Sequence, residues 1–163
     1  MQLSKERTQK LKVGWQEWCA LPAFHIPAIK AKIDTGAKTS AIHAFDIKPF
    51  HHHGCLYVRF ALCPLQADQD ILRMCSAEVI DQRWIMSSNG HKENRFVIQT
   101  SISMAEKTWD LELTLSDRDP LKFRLLLGRA ALAERVVIDP SKRLCLGKLT
   151  YEQVYGFYQK MRI

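Results

Sequence analysis

The residues best suited to chemistry lie in Ile33-Asp34-Thr35-Gly36-Ala37-Lys38-Thr39-Ser40. An alternating strand runs straight into Asp-Thr-Gly, which sets a carboxylate at the point where the strand breaks. Gly36 permits a tight turn whose backbone N–H groups can face that carboxylate, and the Thr35 hydroxyl can fix it. Taken alone, such a carboxylate is either a reactive group or an ordinary Asx-turn closing a strand. Far downstream, Leu125-Leu126-Leu127-Gly128-Arg129 is an apolar strand that ends in glycine and enters a short helical stretch. A second candidate is His51-His52-His53, which invites a zinc reading. Consecutive histidines in a strand point to opposite faces, and no His-Glu-x-x-His helix completes a set. A metal site would need a remote ligand such as His91 or Cys55. The spacing favours a polar loop near Gly54, and neither a metal nor another cofactor is expected. No Gly-x-x-x-x-Gly-Lys-Ser/Thr loop is present, so any dependence on ATP would come from a partner.

The elements that must position these residues are mostly strands. Ile29, Ala31 and Ile33 alternate with Lys30 and Lys32, the period of two that marks a half-buried strand. Leu56, Val58, Phe60 and Leu62 repeat the pattern, as do Trp109, Leu111, Leu113 and Leu115. Phe96-Val97-Ile98 and Phe123 to Leu127 are further strand candidates. Asn89-Gly90 lies between Trp84-Ile85-Met86 and Phe96-Val97-Ile98, a hairpin signal. Helix is expected only over residues 129–135 and from Thr150, as N-cap, to Met161. In that last stretch Val154, Phe157, Tyr158 and Met161 recur at helical spacing. Trp15, Trp18 and Trp109 sit in apolar strand contexts and read as core. Residues 1–12 are polar and basic and read as an N-terminal arm, followed by a single domain over 13–163.

The order of these blocks resembles the retropepsin-like aspartic peptidases: a strand ending in Asp34-Thr35-Gly36-Ala37, a hairpin at Ser87-Ser88-Asn89-Gly90, then Leu126-Leu127-Gly128-Arg129 and a helix. Val13-Gly14-Trp15-Gln16-Glu17-Trp18 and Ile26 to Ala41 bring the resemblance closer still to the bacterial RimK-associated peptidases. Members of that group have carried the label "ATP-dependent zinc protease" and are now placed with retropepsin-like endopeptidases. The resemblance implies an all-β, closed acid-protease barrel with a flap hairpin, one short helix after Leu-Leu-Gly-Arg and a C-terminal helix. Asp34 would be catalytic, with Thr35 and Gly36 completing its loop. Ala37, Lys38, Thr39, Gly128 and Arg129 would support that loop, Gly128 by letting the later strand pass beneath it. One chain supplies one Asp-Thr-Gly, so the implied mechanism needs a homodimer with two Asp34 carboxylates across a two-fold axis. Carboxylates about 3 Å apart share one proton. The ionised one would activate a water while the protonated one hydrogen-bonds the scissile carbonyl. Three features depart from the retroviral pattern: Lys38 stands where an acidic residue is common, the flap candidate is polar, and the C-terminus reads as helix.

Charge and composition limit the partners. The 163 residues carry 24 Lys and Arg against 17 Asp and Glu, a formal net charge of +7. The surplus favours an acidic partner. Arg83, Lys92 and Arg95 flank the flap candidate with Ser87, Ser88, Asn89 and Gly90, and Lys30, Lys32 and Lys38 flank Asp34. RimK-type ligases add glutamates to a ribosomal protein tail, so the resemblance suggests an acidic, glutamylated polypeptide as substrate and such a ligase as a partner. Aromatic stacking motifs of RNA-recognition modules are not evident, which argues against nucleic acid. Apolar runs are too short to span a membrane, no apolar h-region follows the first charged residues, and five cysteines lack any C-x-x-C spacing. A cytoplasmic protein with reduced thiols is expected. Two rival functions remain: a non-catalytic binding or regulatory partner of a RimK-type ligase or the ribosome, and a zinc-dependent hydrolase using His51–His53.

Overall fold

The computed structural model describes residues 9–86, 89–117 and 122–161. The alternating segments form the strands that their spacing predicts. β1 (Leu11–Val13) is followed by β2 (Gln16–Leu21), a 3-10 turn at Pro22–Phe24, and β3 (Ile26–Ile33). Next come β4 (Ser40–His43), β5 (Phe45–His52), β6 (Cys55–Leu62), β7 (Arg73–Glu78), β8 (Asp81–Met86), β9 (Lys92–Met104) and β10 (Lys107–Ser116). The chain closes with β11 (Leu125–Leu127), α1 (Arg129–Leu132), β12 (Val136–Ile138) and α2 (Tyr151–Lys160). β1 lies across the boundary expected at residue 12, because Leu11 and Val13 pair in parallel with Val136 and Ile138.

The main sheet has the order β10-β4-β11-β3-β2-β9-β8, and β9 also pairs with β10, so the strand order returns on itself. β8 is left as the outer strand of a hairpin on β9. Most pairings are antiparallel, but β3 runs parallel to β11 and β4 parallel to β10. Those two pairings carry the ends of distant segments to one place, which is how residues near 34 and near 128 meet. Ile29, Ala31, Ile42, Ile98, Leu113, Leu125 and Leu127 fill the interior, each at most 1% exposed. β5, β6 and β7 form a separate antiparallel sheet.

Two devices tie the C-terminal segment to this sheet. α2 opens with a reciprocal cap in which the Gln153 N–H donates to Thr150 Oγ1 and the Thr150 N–H to Gln153 Oε1. Its buried face carries Val154 and Tyr158, and the Tyr158 hydroxyl donates to the Ala28 carbonyl of β3. The second device is Glu17, a fully buried carboxylate. Its oxygens accept N–H groups from Gly14 at 2.7 Å, Cys145 at 2.9 Å and Leu146 at 3.0 Å. A carboxylate removed from water needs such donors, and here the backbone supplies all three. No helix among the described residues is long and apolar enough to cross a membrane.

Candidate active site

Asp34 ends β3, and its position is fixed mainly by backbone bonds. Its N–H donates to the Leu127 carbonyl at 2.8 Å, continuing the parallel register of β3 and β11. The Gly36 N–H donates to Asp34 Oδ1 at 2.9 Å, and the Ala37 N–H closes the turn on the Asp34 carbonyl at 3.3 Å. The local arrangement is therefore an Asx-turn, and a reactive carboxylate is compatible with it. The Gly36 donor orients the Asp34 carboxylate. Asp34 is half-buried, Thr35, Gly36 and Lys38 are exposed, and Ala37 and Thr39 are half-buried.

The later block locks this loop from below. Gly128 donates its N–H to Ser40 Oγ at 3.0 Å. The Arg129 and Ala130 N–H groups donate to the carbonyls of Ala37 and Lys38 at 2.8 and 3.0 Å, and Arg129 Nη1 donates to the Thr35 carbonyl at 2.7 Å. A Cβ at position 128 would stand 2.8 Å from the Lys38 carbonyl oxygen and 2.9 Å from that of Ala37. Only glycine allows that approach. Upstream, the Ile33 N–H donates to the Trp15 carbonyl, and Trp15 in turn donates to Lys142. The Asp34 loop is thus bound to the 127–130 segment and, through Ile33, to Trp15, which is itself held by Lys142.

The hairpin of β8 and β9 pairs from Asp81 with Val97 to Met86 with Lys92. Asn89 and Gly90 are exposed between the strands, Gly90 at φ 81°, while Ser87 and Ser88 lie outside the described residues. The cations expected around it behave differently from one another. Arg83 is tied to Asp81 at 2.7 Å and to Glu112 at 2.8 Å. These partners hold the guanidinium in its charged form and lower the Asp81 carboxyl below its usual value, chiefly through the Arg83 hydrogen bond. Arg95 pairs with Glu93 at 3.1 Å and reaches Thr114 Oγ1. Lys92 is exposed at the hairpin end. Lys38, Thr39 and Arg83 share a cleft of about 560 Å³ beside the loop, but Asp110 and Glu112 line it too, so its charge is mixed.

Other sequence candidates separate from this site. His51 and His52 end β5, and His53 (φ 50°) with Gly54 (φ 77°) makes the two-residue turn into β6. All three histidines are exposed, and no cluster of three or more His, Cys, Asp or Glu side chains able to hold a metal occurs among the described residues. Lys30 packs its ammonium over the Trp18 ring at 5.0 Å. Trp109 is core, its Nε1 donating to the Ala131 carbonyl. Trp15 is not: it is 39% exposed, edge-on to Phe123, because its strand context ends at the loop. Trp84, in the sequence a flank of the hairpin, stands 70% exposed on β8, on the face opposite the half-buried Arg83 and Ile85.

The mostly β architecture, the Asp-Thr-Gly turn and the glycine-bearing strand beneath it define a retropepsin-type protein. The model of the RimB-like family, described as "Retropepsin-like aspartic endopeptidase RimB", matches residues 12–148, and the chain belongs to that family. It is 46% identical over 150 residues to a "Probable alpha-L-glutamate ligase" of Shewanella pealeana, covering 90% of this chain and 33% of that protein. A protein of the same description from Desulfotalea psychrophila is 44% identical over 158 residues, 97% of this chain and 34% of that one. The chain thus spans about a third of the length of the curated relatives it matches. The crystal structure of a Legionella pneumophila protein of unknown function has the same fold, with a TM-score of 0.68, 24% identity, and coverage of 85% of this chain and 99% of that one.

Proposed function

We propose that the protein is a homodimeric aspartic endopeptidase in which two Asp34 carboxylates, one from each copy, share a proton and activate water. The observation that carries this reading is the Asp34 loop, whose carboxylate plane is set by the Gly36 N–H and whose backbone is clamped by residues 127–130. A catalytic dyad requires such fixation, because a displacement of about 1 Å can cost a hundredfold in rate. In this reading the returning sheet is the closed barrel of the fold, residues 13–163 are one domain, and the β8–β9 hairpin with Ser87 and Ser88 is its flap. Ala37, Lys38, Thr39, Gly128 and Arg129 position the loop.

The substrate we favour is an acidic polypeptide, and a glutamylated one in particular. Support comes from the net charge of +7 and from the exposed Lys32, Lys38, Lys92 and Arg129, with Arg83 and Arg95 contributing less because they are already paired. A cytoplasmic location belongs to this proposal, and the relatives' description as probable alpha-L-glutamate ligases supports a setting beside glutamate addition. It also supports a second reading, in which the chain regulates a RimK-type ligase without catalysis. The two separate on one variant. Asp34→Asn is expected to lower hydrolysis of a glutamylated peptide, followed by mass spectrometry, at least about 10³-fold. Dimerisation, measured by sedimentation, stays unchanged. Undiminished hydrolysis in that variant would rule out the dyad, and absence of hydrolysis in the unaltered protein together with ligase binding would favour the regulator.

A further inference from the structure

On the outer face of the main sheet three side chains stand side by side. Trp18 of β2 is the register partner of Lys30 in β3, and Arg124 directly precedes Leu125, which pairs with Ala31. Lys30 alternates with the core residues Ile29 and Ala31, so it faces away from the interior. Residues 64–67 and the start of α2 close over this row and leave a cavity of about 310 Å³. Lys30, Lys122 and Arg124 line it, and Leu65, Leu149 and Val154 give it apolar walls. No carboxylate is among its described lining residues, and none of the described ion pairs uses these three cations. On the neighbouring loop the Asp68 carboxylate accepts the Asp70 N–H at 3.0 Å, and Asp70 lines a different cleft.

Two donors at this cavity are buried with no acceptor: Trp18 Nε1 and Arg124 Nε. An unmet buried donor costs about 1–3 kcal/mol, and two of them on either side of β3, with Lys30 between them and Lys122 on the same cavity, form an unusual concentration of unmet need for negative charge. Both atoms are sealed from water, and the Lys30 ammonium lies over the Trp18 ring. An anion that draws Lys30 and the guanidinium onto itself would meet all of these groups together. A carboxylate matches the side-on fork of arginine, and a methylene stem matches the apolar walls. A free ammonium finds no acceptor side chain of opposite charge there. One wall comes from Leu149, Tyr151 and Val154, outside the stretch that the family model matches, so the cavity is not built from the family's common part alone.

We propose that this cavity binds a small dicarboxylate lacking a free ammonium, one carboxylate on Arg124 and Trp18 and the other toward Lys122. The ligand is either a free diacid or an N-acylated acidic residue of a peptide. Calorimetric titration of the full chain with glutarate, with N-acetyl-glutamyl-glutamate and with inorganic phosphate tests it. Glutarate or the peptide should bind, and tighter binding of one identifies the source. Trp18→Phe, which keeps the ring and loses the N–H, should weaken binding about tenfold, and Lys122→Met should weaken it less. Arg124→Gln should abolish it. If that variant fails to fold, Trp18→Phe and Lys122→Met decide, with wild-type thermal unfolding as their control. Asp34→Asn should bind as the unaltered protein does, which separates this site from the peptidase reading. No binding of glutarate or of the glutamyl peptide, binding insensitive to Trp18 and Lys122, or phosphate bound as tightly as glutarate would each overturn the proposal.

Discussion

The Asp34 loop and the β8–β9 hairpin both lie at the end of paired strands, yet they are held by opposite means. The loop is fixed by backbone hydrogen bonds from residues 127–130 and by the close approach of Gly128. The hairpin is paired along one side only, its Arg83 is met by surface ion pairs, and Trp84 and Met86 stand 70% and 62% exposed. Backbone clamping cannot be traded for a different side chain, whereas surface pairing and exposed apolar groups can. The difference teaches that this molecule reserves its rigid, buried connections for the candidate reacting group and leaves the candidate substrate-facing strand adaptable.

The comparison can be broken most forcefully at Glu17, which holds Gly14 next to the Trp15 carbonyl that anchors Ile33. Glu17→Ala leaves three backbone N–H groups without their charged acceptor, and hydrogen bonds to charged groups contribute about 1.5–3 kcal/mol each. A loss of about 3 kcal/mol or more in chemical unfolding is expected, with Glu17→Gln intermediate. A loss below about 1 kcal/mol would mean that water replaces the carboxylate and that this region is not anchored as described. Next in size is Gly128→Ala. The added methyl has no free space against Ala37 and Lys38, and overpacking of this kind costs about 1–3 kcal/mol. Its effect on turnover should exceed its effect on unfolding, because the loop must shift to admit the methyl. Equal activity with wild-type stability would show that the approach is relaxed without consequence.

Much of the fold was legible in local pattern, for definite reasons. β3, β6 and β10 each carry a run of alternating apolar residues on one buried face, and Thr150 marks the start of α2. β5 was not legible, since most of its residues are exposed and no face repeats; β7 shows only a short alternation. The chemistry of Asp34 could be reached from its own tripeptide, but its meeting with Gly128 could not, except through a family resemblance. That meeting depends on the parallel register of Leu125 with Ala31, a long-range pairing that leaves no local periodicity. Glu17 was hidden for a related reason. Two of its partners are backbone N–H groups of Cys145 and Leu146, which carry no side-chain signature. The basic rim read from Arg83 and Arg95 was incomplete because their acidic partners, Glu112 and Glu93, come from other positions on β10 and β9.

The smaller effects sharpen the other side of the comparison. Glu112→Gln removes one partner of a pair whose side chains are 33% and 46% exposed, and solvent screening limits such pairs to about 0–1 kcal/mol. Trp84→Ser should cost least in stability, within about 0.5 kcal/mol, because the indole is already in water and its register partner is Asn94. Its effect belongs to recognition instead. An exposed indole on an outer strand offers a large apolar contact with few rotatable bonds, the kind of group that dominates binding surfaces. Under the peptidase reading Trp84→Ser raises KM for a peptide substrate with kcat little changed, the inverse of Gly128→Ala, which lowers kcat. Steady-state kinetics of the two variants, measured beside their unfolding midpoints, place both regions on one scale. A Trp84→Ser protein that unfolds as early as Gly128→Ala, or that loses kcat without a change in KM, would show that the hairpin is part of the rigid framework, and the division of labour drawn between the two regions would fail.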